Sequence, residues 1–272
     1  MAEKAISVYM VAAGQFHDID FARLELLKLL AEDERIRTTV APNYADISAI
    51  TACDFLITYT CNLVPTEEQQ IALRDYVNNG GKWFALHGTN AILDVFHEGG
   101  VNSPETAPTL MQTLGTQFIA HPPIAPYTVK VADPEHELVQ GIGEFDTDDE
   151  LYLSRIHGEL QMLLYADFSG EAAGWVEPDW SDAEQRPVYY INRVGKGEVL
   201  YLNLGHCRGH YDMRFGTEFD ENQQPVNRQK PMMEYYPVIE RGSWEKPEYY
   251  ELLKRGIKYC SANSPTGAST DE

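Results

Sequence analysis

The segment Gly80-Gly81-Lys82-Trp83-Phe84-Ala85-Leu86-His87-Gly88-Thr89-Asn90 constrains this chain more than any other. It reads as a helix end, a glycine turn, a short apolar strand and then a sharp polar turn. A strand this apolar must be covered on both faces, which points to a layered α/β protein. At such a strand-to-helix elbow, hydrolases present a nucleophile on strained backbone. Here the elbow position is His87. The expectation is a hydrolase-like scaffold that lacks the usual nucleophile and does different chemistry, or none.

The rest of the first half agrees with that frame. Residues 5–12 read as a buried strand, followed by a turn at residues 14–18 with Asp18 as helix cap. Phe21, Leu24, Leu27, Leu29 and Leu30 then recur at helical spacing. Residues 37–41 and 54–59 read as two further strands. Pro65 is expected to open a helix that runs to Val77 and stops at Asn79-Gly80-Gly81. The resulting β-α-β-β-α-β order implies a mostly parallel central sheet with helices on both faces. Ligands of such a sheet sit beyond the carboxyl ends of its strands. His17, Asn62 and His87 each follow one of those ends.

The second half changes character. Residues 127–131, 162–166, 172–176, 187–192 and 198–203 read as strands, with a tight turn at Val194-Gly195-Lys196-Gly197. The last of them runs into Leu204-Gly205-His206, so a fourth strand end delivers a histidine. Residues 215–242 are polar and contain prolines, and are expected to form a surface excursion or a site cover. A closing amphipathic helix spans residues 248–259, and residues 261–272 read as a disordered tail. With no internal repeat and no clear linker, residues 1–260 are expected to form one domain.

The 272-residue chain has a formal net charge of −21. That charge excludes nucleic acid and anionic membrane as partners, because phosphates would be repelled. No stretch has transmembrane length and no signal pattern opens the chain. The four cysteines, Cys53, Cys61, Cys207 and Cys260, form no C-x-x-C pair, so free thiols in a reducing cytoplasm are expected. No G-x-G-x-x-G and no G-x-x-x-x-G-K-[ST] occurs, which argues against a nucleotide cofactor.

Several pieces of the chain, taken in order, resemble the ThuA-like proteins named for trehalose utilisation. They are Phe16-His17, the run from Tyr76 to Gly81, Leu86-His87-Gly88, and Phe118-Ile119-Ala120-His121-Pro122. They continue with Asp133 to Leu138, Asp149-Glu150-Leu151-Tyr152, the block from Pro187 to His206, and the helix around Leu253 to Ile257. The insert at 215–242 has no counterpart in that pattern. The resemblance implies a flavodoxin-like, class I glutamine amidotransferase-like fold and a role in sugar metabolism. It further implies a place beside oxidoreductases acting on disaccharides or their 3-keto forms. With no cysteine at the elbow, amidotransferase chemistry itself is not expected.

The candidate constellation is His17, His87, His121, Glu150 and His206. Imidazoles grouped with a carboxylate suit Zn²⁺ or a similar divalent metal, with His17, His87 and His206 as ligands. The same groups could instead exchange protons, with His87, Glu150 and His206 as the catalytic set. Asn62, His121, Arg208 and Tyr211 are candidates for binding substrate. Each has a structural alternative: His87 bracing the elbow, His206 bonding the next turn, His17 lying exposed, His121 shaping the loop before its prolines. Glu150 ends the acidic run Asp146-Thr147-Asp148-Asp149-Glu150, which also reads as a solvated loop. Trp175, Trp180, Tyr189 and Tyr190 could stack on a sugar or pack a core. The expected function is processing of a disaccharide, glycoside or 3-keto derivative by hydrolysis or isomerisation. The competing reading is a non-catalytic sugar-binding or regulatory module. Expected partners are a small carbohydrate, a sugar oxidoreductase and a second copy of the chain.

Overall fold

The computed structural model describes residues 4–95, 97–181, 185–210, 212 and 239–262. In chain order its elements are β1 (Ile6–Gly14), α1 (Ile19–Leu30), β2 (Ile36–Ala41), α2 (Ile47–Ala52), β3 (Phe55–Cys61), α3 (Glu67–Asn78) and β4 (Lys82–Leu86). Next come α4 (Pro108–Leu114), β5 (Thr116–Ala120), β6 (Ala125–Val131), β7 (Phe145–Asp149), β8 (Leu153–Ile156) and β9 (Leu160–Asp167). The chain continues through β10 (Gly170–Glu171), β11 (Asp179–Trp180), β12 (Gln185–Val194) and β13 (Gly197–Leu202) to α5 (Pro247–Ala262).

A sheet of nine strands takes the order β2-β1-β3-β4-β13-β12-β9-β6-β7. The first five run parallel, and each later neighbour pairs antiparallel. The expected mostly parallel sheet is thus corrected to a mixed one. The reason lies in connection length. A parallel neighbour needs a crossover of roughly a dozen residues or more, usually a helix. Only Gly195 and Lys196 separate β12 from β13, with Gly195 at φ 61°, so that pair can only be a hairpin.

Strand alternation distributes the core. Val8, Met10 and Ala12 of β1 join Leu26 and Leu29 of α1 and Leu252, Leu253 and Ile257 of α5. The intervening Tyr9 and Val11 join a second cluster with Ile50 of α2, Leu73 and Val77 of α3, and Leu110, Met111 and Leu114 of α4. Each such buried side chain contributes roughly 1.5–3 kcal/mol relative to exposure. These contacts hold the parallel strands rigidly and leave their carboxyl ends to carry loops.

Other expectations change too. The order β-α-β-β-α-β omits α2, whose Asp46 cap accepts the Ala49 N–H at 3.1 Å. Pro65 does not open α3; Thr66 is the cap, and it exchanges a reciprocal pair of bonds with Gln69. Residues 172–176 form a turn rather than a strand, and Trp175 contributes one bridge to Val101. The acidic run is not a loop: β7 buries Phe145, Thr147 and Asp149 and exposes Asp146 and Asp148. Ser261 and Ala262 finish α5, while the rest of the expected tail and residues 215–238 of the excursion lie outside the described residues. No helix among the described residues is long and apolar enough to cross a membrane.

All four cysteines are free thiols, and three are buried. Burial pushes the Cys53 thiol up to about 11 and Cys207 up to about 12, and it raises Cys61 and Cys260 further. A raised thiol stays protonated and unreactive at neutral pH. Cys207, which follows His206 in the chain, packs its sulfur 3.1 Å from the Tyr59 hydroxyl. We therefore expect none of the four to react rapidly with a disulfide reagent at pH 7.5. All four should react after denaturation, as counted by absorbance of the released thiolate.

Candidate functional site

Four adjacent parallel strands, β1, β3, β4 and β13, end at the same edge of the sheet. Three of these ends carry non-glycine residues at positive φ: Phe16 at 70°, Asn62 at 56° and His87 at 44°. Each left-handed residue costs on the order of 1–3 kcal/mol, and such strain gathers at functional sites. His87 opens a tight helical turn, His87–Asn90, directly after β4. Tyr201 locks that turn by donating to the His87 carbonyl at 2.6 Å and accepting the Asn90 N–H at 2.8 Å. The sharp, strained elbow expected from the sequence is present, and His87 is fully buried at its apex.

His17, His87, His206 and Glu150 converge there. Their potential ligand atoms all lie within 4.8 Å of one another, and all four residues are buried. His17 Nε2 is 2.8 Å from His87 Nε2, and each is 3.5 Å from Glu150 Oε2. His206 Nδ1 is 3.1 Å from Glu150 Oε1.

The far nitrogen of each imidazole is pinned. His17 Nδ1 donates to the Gln15 carbonyl at 3.2 Å, and His87 Nδ1 donates to the Asn203 carbonyl at 2.8 Å. His206 Nε2 donates to Glu240 Oε2 at 2.8 Å. These bonds turn the three remaining ring nitrogens toward one point. His206 Nδ1, though close to Glu150, lacks the alignment of a hydrogen bond and is a buried orphan.

Two imidazole lone pairs facing each other at 2.8 Å repel unless a cation lies between or beside them. An orphaned third nitrogen and a carboxylate complete a donor set suited to a first-row divalent ion. Ligand histidines typically have their other N–H fixed by a carbonyl or carboxylate, as all three are here. The residues present therefore fit a metal.

The three groups are held in different charge states. Burial, together with neighbouring His87, pushes His17 down to about 4, so it is neutral at pH 7. Burial also opposes charge on His206, but the Glu150 carboxylate outweighs it and holds His206 up at about 9. Burial works against charge on Glu150, yet His206 and His121 hold its carboxyl well below the usual range. Without a metal, His206 and Glu150 thus form a buried ion pair, and a divalent ion would bind by displacing the His206 Nδ1 proton.

A cavity of about 310 Å³ opens onto the cluster. His17, Glu150, His121 and Arg208 supply its polar lining, while Phe16, Phe118, Tyr152 and Trp175 supply aromatic wall. His121 stands at the rim with its Nδ1 donating to the Pro122 carbonyl at 2.7 Å and its Nε2 3.7 Å from Glu150. Arg208 clamps Glu150 at 3.3 Å and Glu240 at 3.1 Å. Asn62 turns its amide to Gln15 at 2.8 Å and to the Leu93 N–H at 2.9 Å. Tyr211 lies outside the described residues. Of the four aromatic candidates, Trp175 lines the cavity, Tyr189 and Tyr190 are fully buried in the core, and Trp180 packs on Arg186.

Three contributors escape the sequence reading. Asp149 is 1% exposed and accepts N–H bonds from Gly205, His206, Ser243 and Glu150 at 2.8–3.1 Å. It shapes the loop that carries His206. Glu240, at the far end of the excursion, pairs with Arg208 through backbone and side chain and fixes His206. Tyr152 sets its hydroxyl 3.3 Å from His87 Nε2. A signal existed for Asp149, since Phe145, Thr147 and Asp149 alternate at strand period.

The family model for ThuA, trehalose utilisation, matches residues 6–218. The chain belongs to the ThuA family. No curated protein matches it in sequence. Among solved structures, a ThuA-like protein from Bacteroides uniformis ATCC 8492 is similar with a TM-score of 0.65 at 14% identity, covering 98% of this chain and 96% of that one. A ThuA-like protein from Parabacteroides merdae ATCC 43184 has a TM-score of 0.59 at 16% identity, with coverage of 98% and 94%. At these identities the likeness is one of fold. His17, His87, Glu150 and His206 all fall inside the span matched by the ThuA model.

Proposed function

We propose that this ThuA protein processes a carbohydrate, a disaccharide or glycoside or its 3-keto derivative, at a divalent metal held by His17, His87, His206 and Glu150. The observation that carries the reading is the convergence of three pinned imidazoles on one buried carboxylate. The trehalose-utilisation family supports the sugar. The cavity supports it as well, since aromatic walls suit the C–H face of a sugar ring and the polar groups lie on the metal side. A bound Zn²⁺ or similar ion would polarise a sugar carbonyl or activate water, giving isomerisation or hydrolysis.

The chain's own residues have separate tasks in this reading. Gln15, Asn203 and Glu240 set the imidazole tautomers and orientations. Arg208 holds both carboxylates in place. Glu150 serves as a ligand, because its carboxyl is held ionised and faces three histidines. His121, 22% exposed, offers Nε2 at the rim of the cavity and can exchange a proton with a ligand there. Asn62 braces the loops after β1 and β3. The parallel half of the sheet serves as an amidotransferase-like scaffold whose elbow residue has become a ligand. The reaction would run in the cytoplasm, beside an oxidoreductase that makes the keto sugar.

Incubation with a 3-keto-disaccharide, with and without a chelator, tests the proposal. We expect consumption that stops on chelation and returns with added Zn²⁺. If calorimetry shows the sugar bound while product analysis finds it intact in every condition, the chain is a binding module and the enzyme reading fails.

A further inference from the structure

The His87 Nε2 lone pair has two claimants. His87 donates its Nδ1 proton to Asn203, so Nε2 has a single lone pair in the ring plane. The Tyr152 hydroxyl lies 3.3 Å from that nitrogen and makes no other hydrogen bond among the described residues. A metal on His87 Nε2 would take the lone pair and leave the Tyr152 proton without its acceptor. The hydroxyl cannot turn to bulk water, since Tyr152 is 2% exposed. It can turn to the cavity, which Tyr152 lines together with Phe118 and Trp175. A buried donor without a partner is strongly disfavoured, so it will seek the nearest acceptor that enters.

We infer that Tyr152 is a catalytic residue whose hydroxyl donates a hydrogen bond to the ligand oxygen that enters beside the metal, the carbonyl or hydroxyl oxygen of the sugar. The inference rests on the metal reading above. It gives the site a fixed donor aimed at the atom on which negative charge would develop. The ring is already rigid, packed 4.4 Å from Phe118 and 5.0 Å from His87 between centroids, so the hydroxyl is placed before any ligand arrives. The sequence offered only proximity, Tyr152 lying two residues beyond Glu150.

The test uses the full chain loaded with Co²⁺ and titrated with azide, a small anion whose donor atom accepts hydrogen bonds, followed by visible absorption. Tyr152→Phe keeps the ring and its packing and removes only the hydroxyl. Tyr59→Phe is the control: its hydroxyl is equally buried but donates to the Gly205 carbonyl at 2.7 Å, away from the cavity. We expect both variants to retain one Co²⁺ per chain, and azide to bind Tyr152→Phe about tenfold more weakly, the effect of roughly one hydrogen bond. Tyr59→Phe should match the wild type. Unchanged azide affinity in Tyr152→Phe, or an equal loss in Tyr59→Phe, overturns the inference and leaves the metal reading standing. Failure of the wild-type chain to retain Co²⁺ overturns both.

Discussion

Replacing His87 with alanine should abolish metal retention. The side chain is fully buried, its Nδ1 is committed to Asn203, and its Nε2 is the nitrogen closest to His17. Loss of a fixed ligand should weaken divalent metal by at least about 100-fold, beyond the 10–100-fold typical of supporting residues. After dialysis, bound metal should fall from one per chain to a trace by elemental analysis. His87 also sits at φ 44°, so the backbone effect needs separating from ligation. His87→Gly accepts that φ without strain and should lose metal equally while unfolding at no lower temperature than His87→Ala. His136→Ala, which changes a histidine outside the cluster, should keep its metal. If His87→Ala retains stoichiometric metal, His87 is a bracing residue only.

Asp149→Asn should be the most destabilising conservative change in the site. Both carboxylate oxygens of Asp149 face backbone N–H groups: Oδ1 accepts from Glu150 and His206, and Oδ2 accepts from Gly205 and Ser243. An asparagine would turn an NH₂ donor toward one of those pairs and leave buried donors facing each other. Breaking a buried charged arrangement of this kind costs about 3–5 kcal/mol. For a chain of this size the thermal midpoint should then fall by on the order of 10 °C. Gly205 adds to the sensitivity, since it sits at φ 122° with the Tyr249 hydroxyl filling the space a side chain would need. A midpoint within about 2 °C of wild type, read by calorimetry, would show that Asp149 does not hold the His206 loop.

The parallel half of the sheet was legible because its signals are local. Short apolar strands, a helical stripe and glycine stops follow one another at fixed spacing, and β4 lies between the glycine turn and His87 as expected. His17, His87 and His206 were legible for the same reason, as each lies just past a recognisable strand end. The antiparallel half was harder. The Gly195-Lys196 turn already implied a hairpin, and the absence of helical spacing between residues 125 and 194 removed the crossovers that a parallel sheet requires. α4 had its own punctuation, with Pro108 at the first turn and Gly115 in the left-handed cap. β7 was hidden by composition, because aspartate disfavours strands. Its outward Asp146 and Asp148 are charges of the kind that protect a sheet edge. Asp149, Tyr152 and Glu240 act on partners between 34 and 94 positions away, a distance no local periodicity spans.

The central claim is that one divalent ion is shared by His17, His87, His206 and Glu150. A crystal structure of the protein grown with Zn²⁺, with anomalous data collected at the zinc edge, tests it most directly. The account predicts one strong anomalous peak with the Nε2 atoms of His17 and His87 and the Nδ1 of His206 at about 2.0–2.1 Å, and a Glu150 oxygen at about 2.0–2.2 Å. A map with no peak among these four residues, in crystals containing saturating zinc, would contradict it.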